Sequence, residues 1–225
     1  MAEEFEVSPQ QIRQAAERAM AIEQQLLRKA WGFCYAVIAA EIGLTLFLPF
    51  VLRFTGVSSD FGLFASLGVN TTVSLIGLAV TAWVLRNAYN AMLIRREIAD
   101  SVWTRLIKRP LLLALMWVVY YAPVLAAIFF LSPHALAVEF GLLATLVVPF
   151  YFVLKVSFPE KLPPESIAVI MTFAVCSLGS FAASFPNAHV GVYVILWSAM
   201  VAVSAFASAY ARMQKPVPPE DAINW

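Results

Sequence analysis

The charged residues of this chain are bunched, and the stretches between them are long enough to cross a lipid bilayer. Between Trp31 and Leu52 the only charge is Glu41, and the runs 61–85, 110–138 and 140–154 carry none. The longest charge-free run extends from Ser166 to Ala211. A spanning helix needs about 20 apolar residues to cross roughly 30 Å of hydrocarbon. The last run is too long for one crossing, and Phe185-Pro186-Asn187 near its middle supplies a turn. Six spans follow, at about 31–53, 62–85, 111–131, 135–157, 166–185 and 189–211. The runs are continuous rather than alternating, and lipid offers backbone groups no partner, so helices are expected and not a barrel.

Composition excludes the alternatives. Hydrophobic residues make up 61% and charged residues 13%, against about 45–50% and about 25% in soluble domains. A net charge of +1 gives no basic surplus for binding phosphates, so no nucleic-acid partner is expected. The two cysteines are too few for a disulfide framework.

The basic residues give the orientation. With six spans, one side of the membrane receives Arg13, Arg18, Arg28 and Lys29, then Arg86, Arg95, Arg96, Arg105, Lys108 and Arg109, then Lys155, Lys161, Arg212 and Lys215. The other side receives only Arg53. Positive charge marks the cytoplasmic face, so both termini are expected there. The first 30 residues mix five acidic with four basic groups and lack an apolar core, so no cleavable signal peptide is expected.

The expected fold is therefore an all-α, polytopic transmembrane bundle of six helices. An N-terminal amphipathic cytoplasmic helix occupies 1–30, the membrane domain 31–211, and a Pro-rich cytoplasmic tail 212–225. A cytoplasmic helical loop at 86–109 joins spans two and three. Ser8 and Gln11 have the spacing of a capping box, and Ile12, Ala15, Ala16, Ala19, Ile22 and Leu26 then recur on one helical face. That face lies on headgroups or on the protein's own cytoplasmic face, or docks a partner; its thin alanine stripe tilts toward protein contact. Pro163-Pro164-Glu165 reads as the start of the fifth span. Trp31 and Trp83 are expected at interfaces, whereas Trp197 falls deeper and needs a partner for its indole N–H. TLxxPF occurs at 45–50 and again at 145–150. A repeat of three spans would be inverted, as in several secondary transporters.

Chemistry-bearing groups are few. His134 and His189 lie near span ends, and no metalloprotease, dinucleotide or phosphate-loop motif is present. No catalytic residue, cofactor or metal is expected. The anomaly is Glu41. Ten residues beyond Trp31, it lies roughly 15 Å into the membrane, where a charge costs a few kcal/mol at least. It must be protonated, paired or facing a wet cavity. Ser66, Asn70, Ser74, Gly77 and Thr81 form a polar, small-residue stripe on span two. The candidate midplane site is Glu41, Asn70, Thr71 and Ser74, with Tyr120 and Tyr121 from span three. The expected function is a non-enzymatic subunit of a membrane complex concerned with transport or energy transduction. The alternatives are a self-contained small-solute or ion transporter using Glu41 and Asn70 and, third, an intramembrane enzyme. The expected partners are the bilayer and a protein or second copy, met through the membrane helices and through helices 8–30 and 86–109.

Overall fold

A computed structural model of the chain describes residues 8–54, 59–91, 122, 135–158, 160–184 and 190–213, and the elements among them are all helical. They are α1 (Pro9–Phe54), α2 (Ser59–Asn90), α3 (Ala135–Thr145), α4 (Val147–Ser157), α5 (Pro164–Ala183) and α6 (Val190–Met213). Four helical stretches are long and apolar enough to cross a membrane: one within α1, Phe140–Ser157 across α3 and α4, α5, and most of α6. The expected third span at 111–131 falls outside the described residues except at Ala122. The loop 86–109 falls outside them beyond Ala91, as does the tail beyond Met213.

The start of α1 has the expected chemistry. Gln11 N–H donates to Ser8 Oγ (3.3 Å) and Ser8 N–H donates to Gln11 Oε1 (3.0 Å), so two otherwise orphaned donors are satisfied reciprocally. The helix then continues for 46 residues, about 69 Å, without interruption. The expected N-terminal helix and the first span are thus one continuous helix. The buried stripe here differs from the one expected. Glu23, Leu27, Ala30, Trp31, Cys34 and Tyr35 turn inward, while Ile12, Ile22 and Leu26 remain exposed.

The TLxxPF copies are not structurally equivalent. α1 runs through Pro49, whereas the second copy coincides with a break at Leu146 between α3 and α4. Pro149 lacks the N–H that would bond Thr145 O, and its ring crowds that carbonyl. Thr145 instead turns its own hydroxyl onto Leu142 O at 2.7 Å.

Packing places α1 against α2 and α6, α6 against α5, and α5 against α3 and α4. Tyr35, Trp31, Phe150, Phe173, Trp197, Phe140 and Tyr193 form an unbroken succession of ring contacts through the core, with centroids 5.1–6.2 Å apart. Trp31 is thus a core residue, not an interfacial anchor, and is only 3% exposed. Trp197 finds the partner its depth demands, donating from Nε1 to Ser180 Oγ at 3.1 Å.

One end of the bundle is polar and tightly joined. Arg28 donates from Nε to Glu165 Oε1 (2.8 Å) and from Nη2 to Glu165 Oε2 (2.9 Å). Tyr35 donates to Ser166 Oγ at 2.7 Å. Arg212 lies over the Phe33 ring, 5.7 Å from its centroid. Trp31 against Phe150 brings the C-terminal half of α4, with Lys155, to this same end.

Two stability measurements follow. Glu165→Gln keeps the side chain's size but removes the charge of a bidentate pair, and is expected to cost ~1.5–3 kcal/mol in a denaturant titration of the purified protein. A loss below ~1 kcal/mol would assign the pair the value of an exposed one. Trp197→Phe retains the ring and removes its N–H; the expected cost is about 0.6–1.7 kcal/mol.

Candidate functional site

Glu41 stands on the stretch of α1 that runs antiparallel to α2. Two hydrogen bonds set this register: the Cys34 side chain with Thr81, and, two turns further along α1, the Glu41 carboxylate with Ser74. At the second crossing α2 contributes Gly77. A Cβ built on Gly77 would stand 3.0 Å from Glu41 Oε2 and 3.3 Å from Val37 Cγ1. The missing side chain is what allows the carboxylate to lie against the α2 backbone, and any larger residue would compete for its space.

A groove of about 220 Å³ opens beside this contact. From α1 it is lined by Val37, Ala40, Glu41 and Leu44, and from α2 by Val73, Ile76, Gly77 and Val80. Leu44 and Ile76 are more than half exposed, so the groove is open along one side. Glu41 itself is half-buried. Glu41 is the one ionisable residue in the lining, whose surface is almost wholly hydrocarbon because the carboxyl is turned onto Ser74 and the α2 backbone at Gly77. Among the described residues no basic side chain pairs with it.

The arrangement brings together part of the expected site. Glu41 and Ser74 meet directly. Asn70 and Thr71 belong to α2 by their backbone, but their side chains lie outside the described residues, as do Tyr120 and Tyr121 altogether. Gly77 was legible in the sequence as a small residue of the α2 stripe, although not as the position that seats the carboxylate. The aliphatic walls follow helical spacing, at 37, 40 and 44 on one helix and at 73, 76 and 80 on the other. That signal is present in the sequence, but it cannot be told from lipid-facing apolar residues without the helix pairing.

Other polar groups in the spans join helices to one another. Ser180 accepts from Trp197, Ser184 and Tyr193 share a hydrogen bond of 3.1 Å, and Cys176 Sγ donates to Leu196 O at 2.9 Å. These contacts all lie between α5 and α6. At the α1–α2 crossing the Glu41 carboxyl likewise joins two helices, bonded to Ser74 and seated against Gly77, beside an open apolar groove.

Compared with known proteins, the chain matches no family model, no curated protein and no solved structure.

Proposed function

We propose that this chain is a non-enzymatic, six-span subunit of a membrane complex concerned with transport or energy transduction, with both termini cytoplasmic. The observation that carries the reading is the N-terminal part of α1. It is continuous with the span, yet Ile12 is 59% and Ile22 55% exposed there. Apolar side chains on a helix that has left the bilayer cannot be covered by lipid, and a contiguous exposed set marks a protein contact. Arg13 and Glu17, paired at 3.1 Å on the same segment, supply its solvated face. Within the membrane, no more than about a third of each span's most apolar stretch is buried by the chain itself. The spans therefore have surface to offer lipid and partner helices alike.

A second reading is favoured by the groove at Glu41: a self-contained transporter of a small solute or ion. An ionisable group inside a membrane domain is costly and is characteristic of substrate and ion pathways.

Purification in mild detergent with crosslinking from Ile22→Cys is expected to capture a stoichiometric partner protein. Replacing Ile12 and Ile22 together by glutamate is expected to release that partner while the thermal unfolding of the chain stays unchanged. A chain that purifies alone, and that the double replacement does not alter, refutes the subunit reading. Reporter fusions at the two ends are expected to respond as cytoplasmic on both, since an odd span number would separate them.

A further inference from the structure

We propose that an anionic phospholipid binds on the outer face of α1 and α2, with one acyl chain in the apolar groove and its phosphate against Lys29, Arg86 and Arg212. The inference goes beyond both readings above and needs only that the chain crosses a bilayer.

The groove leads to a cluster of cations. Two contacts set the register of α1 and α2, Glu41 with Ser74 and Cys34 with Thr81. Five positions beyond the second contact stand Lys29 on α1 and Arg86 on α2, both exposed and both about 7.5 Å further along their helices. On α1 the lining positions 37, 40 and 44 continue through Phe33 to Lys29, a turn at a time. On α2 the positions 73, 76 and 80 continue to Trp83, which is exposed as Phe33 is. The third cation comes from α6, whose Arg212 lies over the Phe33 ring. Among the described residues no carboxylate pairs with Lys29, Arg86 or Arg212.

These cations mark the edge of the hydrocarbon on three helices independently. Arg86 ends the charge-free run that begins at Phe61, and Arg212 ends the one that begins at Ser166. Lys29 is the last basic residue of α1 before Arg53. Packing brings the three boundaries to one level. From Phe33 to Leu44 the helix rises about 16 Å, close to half of the roughly 30 Å of hydrocarbon. The groove and its continuation therefore have the length of an acyl chain in a single leaflet.

The chemistry selects the ligand. The groove surface is almost wholly hydrocarbon and open along one side at Leu44 and Ile76, so it can receive an alkyl chain sideways from the bilayer. Three cations at its end favour a headgroup of net negative charge. A choline headgroup would set its own cation among them. A guanidinium lying on a ring keeps its in-plane N–H groups free, so Arg212 can stack on Phe33 and still donate to a phosphate. Trp83 stands at the same level, and indole rings favour the headgroup region.

The test is native mass spectrometry of the purified full chain in maltoside detergent, titrated with dioleoylphosphatidylglycerol or with dioleoylphosphatidylcholine. One phosphatidylglycerol is expected to bind saturably, about tenfold more tightly than phosphatidylcholine. Lys29→Gln with Arg212→Gln is expected to abolish that preference. Arg13→Gln with Lys161→Gln takes the same charge from elsewhere and is expected to leave it intact. Ala40→Phe fills the groove from an exposed position and is expected to weaken binding of both lipids. The proposal is overturned by equal affinity for the two lipids, by a preference that survives the loss of Lys29 and Arg212, or by one that the loss of Arg13 and Lys161 abolishes equally. Parental affinity in Ala40→Phe also overturns it, since the groove would then hold no chain. A disulfide between two copies through Leu44→Cys, formed in phosphatidylglycerol vesicles, would put a second chain in the groove and overturn it as well. Should the double variant at 29 and 212 not fold, Lys29→Gln and Arg212→Gln taken singly decide in its place.

Discussion

The Arg28–Glu165 pair is the contact on which the arrangement of the helices depends. It joins residues 137 positions apart and is bidentate, with both nitrogen–oxygen distances below 3 Å. A fork-to-fork pair fixes rotation as well as separation, which a lysine could not do. Glu165 is 3% exposed and stands in the first turn of α5, where a negative charge also meets the positive end of the helix dipole. Tyr35 braces the same point from two turns further along α1, reaching Ser166. Two long side chains leaving α1 about 10 Å apart thus converge on adjacent residues of α5. Neither contact alone would fix both the tilt and the height of the two helices.

Once α1 and α5 are fixed, the rest of the core follows by close packing. Hydrophobic collapse gives little directional preference among helices in lipid, so specificity comes from interlocking shapes and hydrogen bonds. Here the shapes are aromatic. Trp31 meets Phe150, Phe150 meets Phe173, and Phe173 meets Trp197, each pair joining a different pair of helices. Small residues permit the approach elsewhere. A Cβ on Gly32 would stand 2.7 Å from that of Ala211, so α1 and α6 touch nearly backbone to backbone. The buried hydroxyls of Ser177 and Ser204 have no hydrogen-bond partner among the described residues, and the close fit around them is bought at that cost.

Much of this was legible in the order of residues, where the governing interaction is local. The capping box at Ser8 and Gln11, the start of α5 at Pro163-Pro164, and the need of Trp197 for a partner all depend on a few neighbouring positions or on depth alone. The spans at α1, α3–α4, α5 and α6 were visible because lipid tolerates no charge. What was not legible depends on which helices meet. Glu165 reads as an ordinary acidic residue at a helix start, and only its distant partner makes it a buried ion-pair member. Trp31 reads as an interfacial anchor because its depth is right, yet α4 covers it. On the first helix, the residues Ile12, Ile22 and Leu26 form the more apolar stripe, but the face that turns inward includes Glu23. The break at Leu146 was signalled by Pro149 three residues later, although Pro49 in the same local pattern leaves α1 uninterrupted.

The same rigidity bears on Glu41. It follows Arg28 by 13 residues, so the helix carries it about 20 Å along its axis from the polar end. A lysine or arginine at such a depth can extend its stem toward water; a glutamate has too short a reach, and α1 is held at Arg28 and Tyr35 against sliding. The carboxylate is consequently kept at its place along α1 by contacts made elsewhere. A purely structural hydrogen bond to Ser74 would be equally well made by glutamine, whose amide carries no charge to desolvate. It would also be better protected by an alanine than by a glycine at position 77, since a filled crossing excludes solvent and packs α1 against α2. The chain has instead the costlier acid and the smaller residue beside it. Both depart from what helix packing alone would favour, and both occur at one crossing.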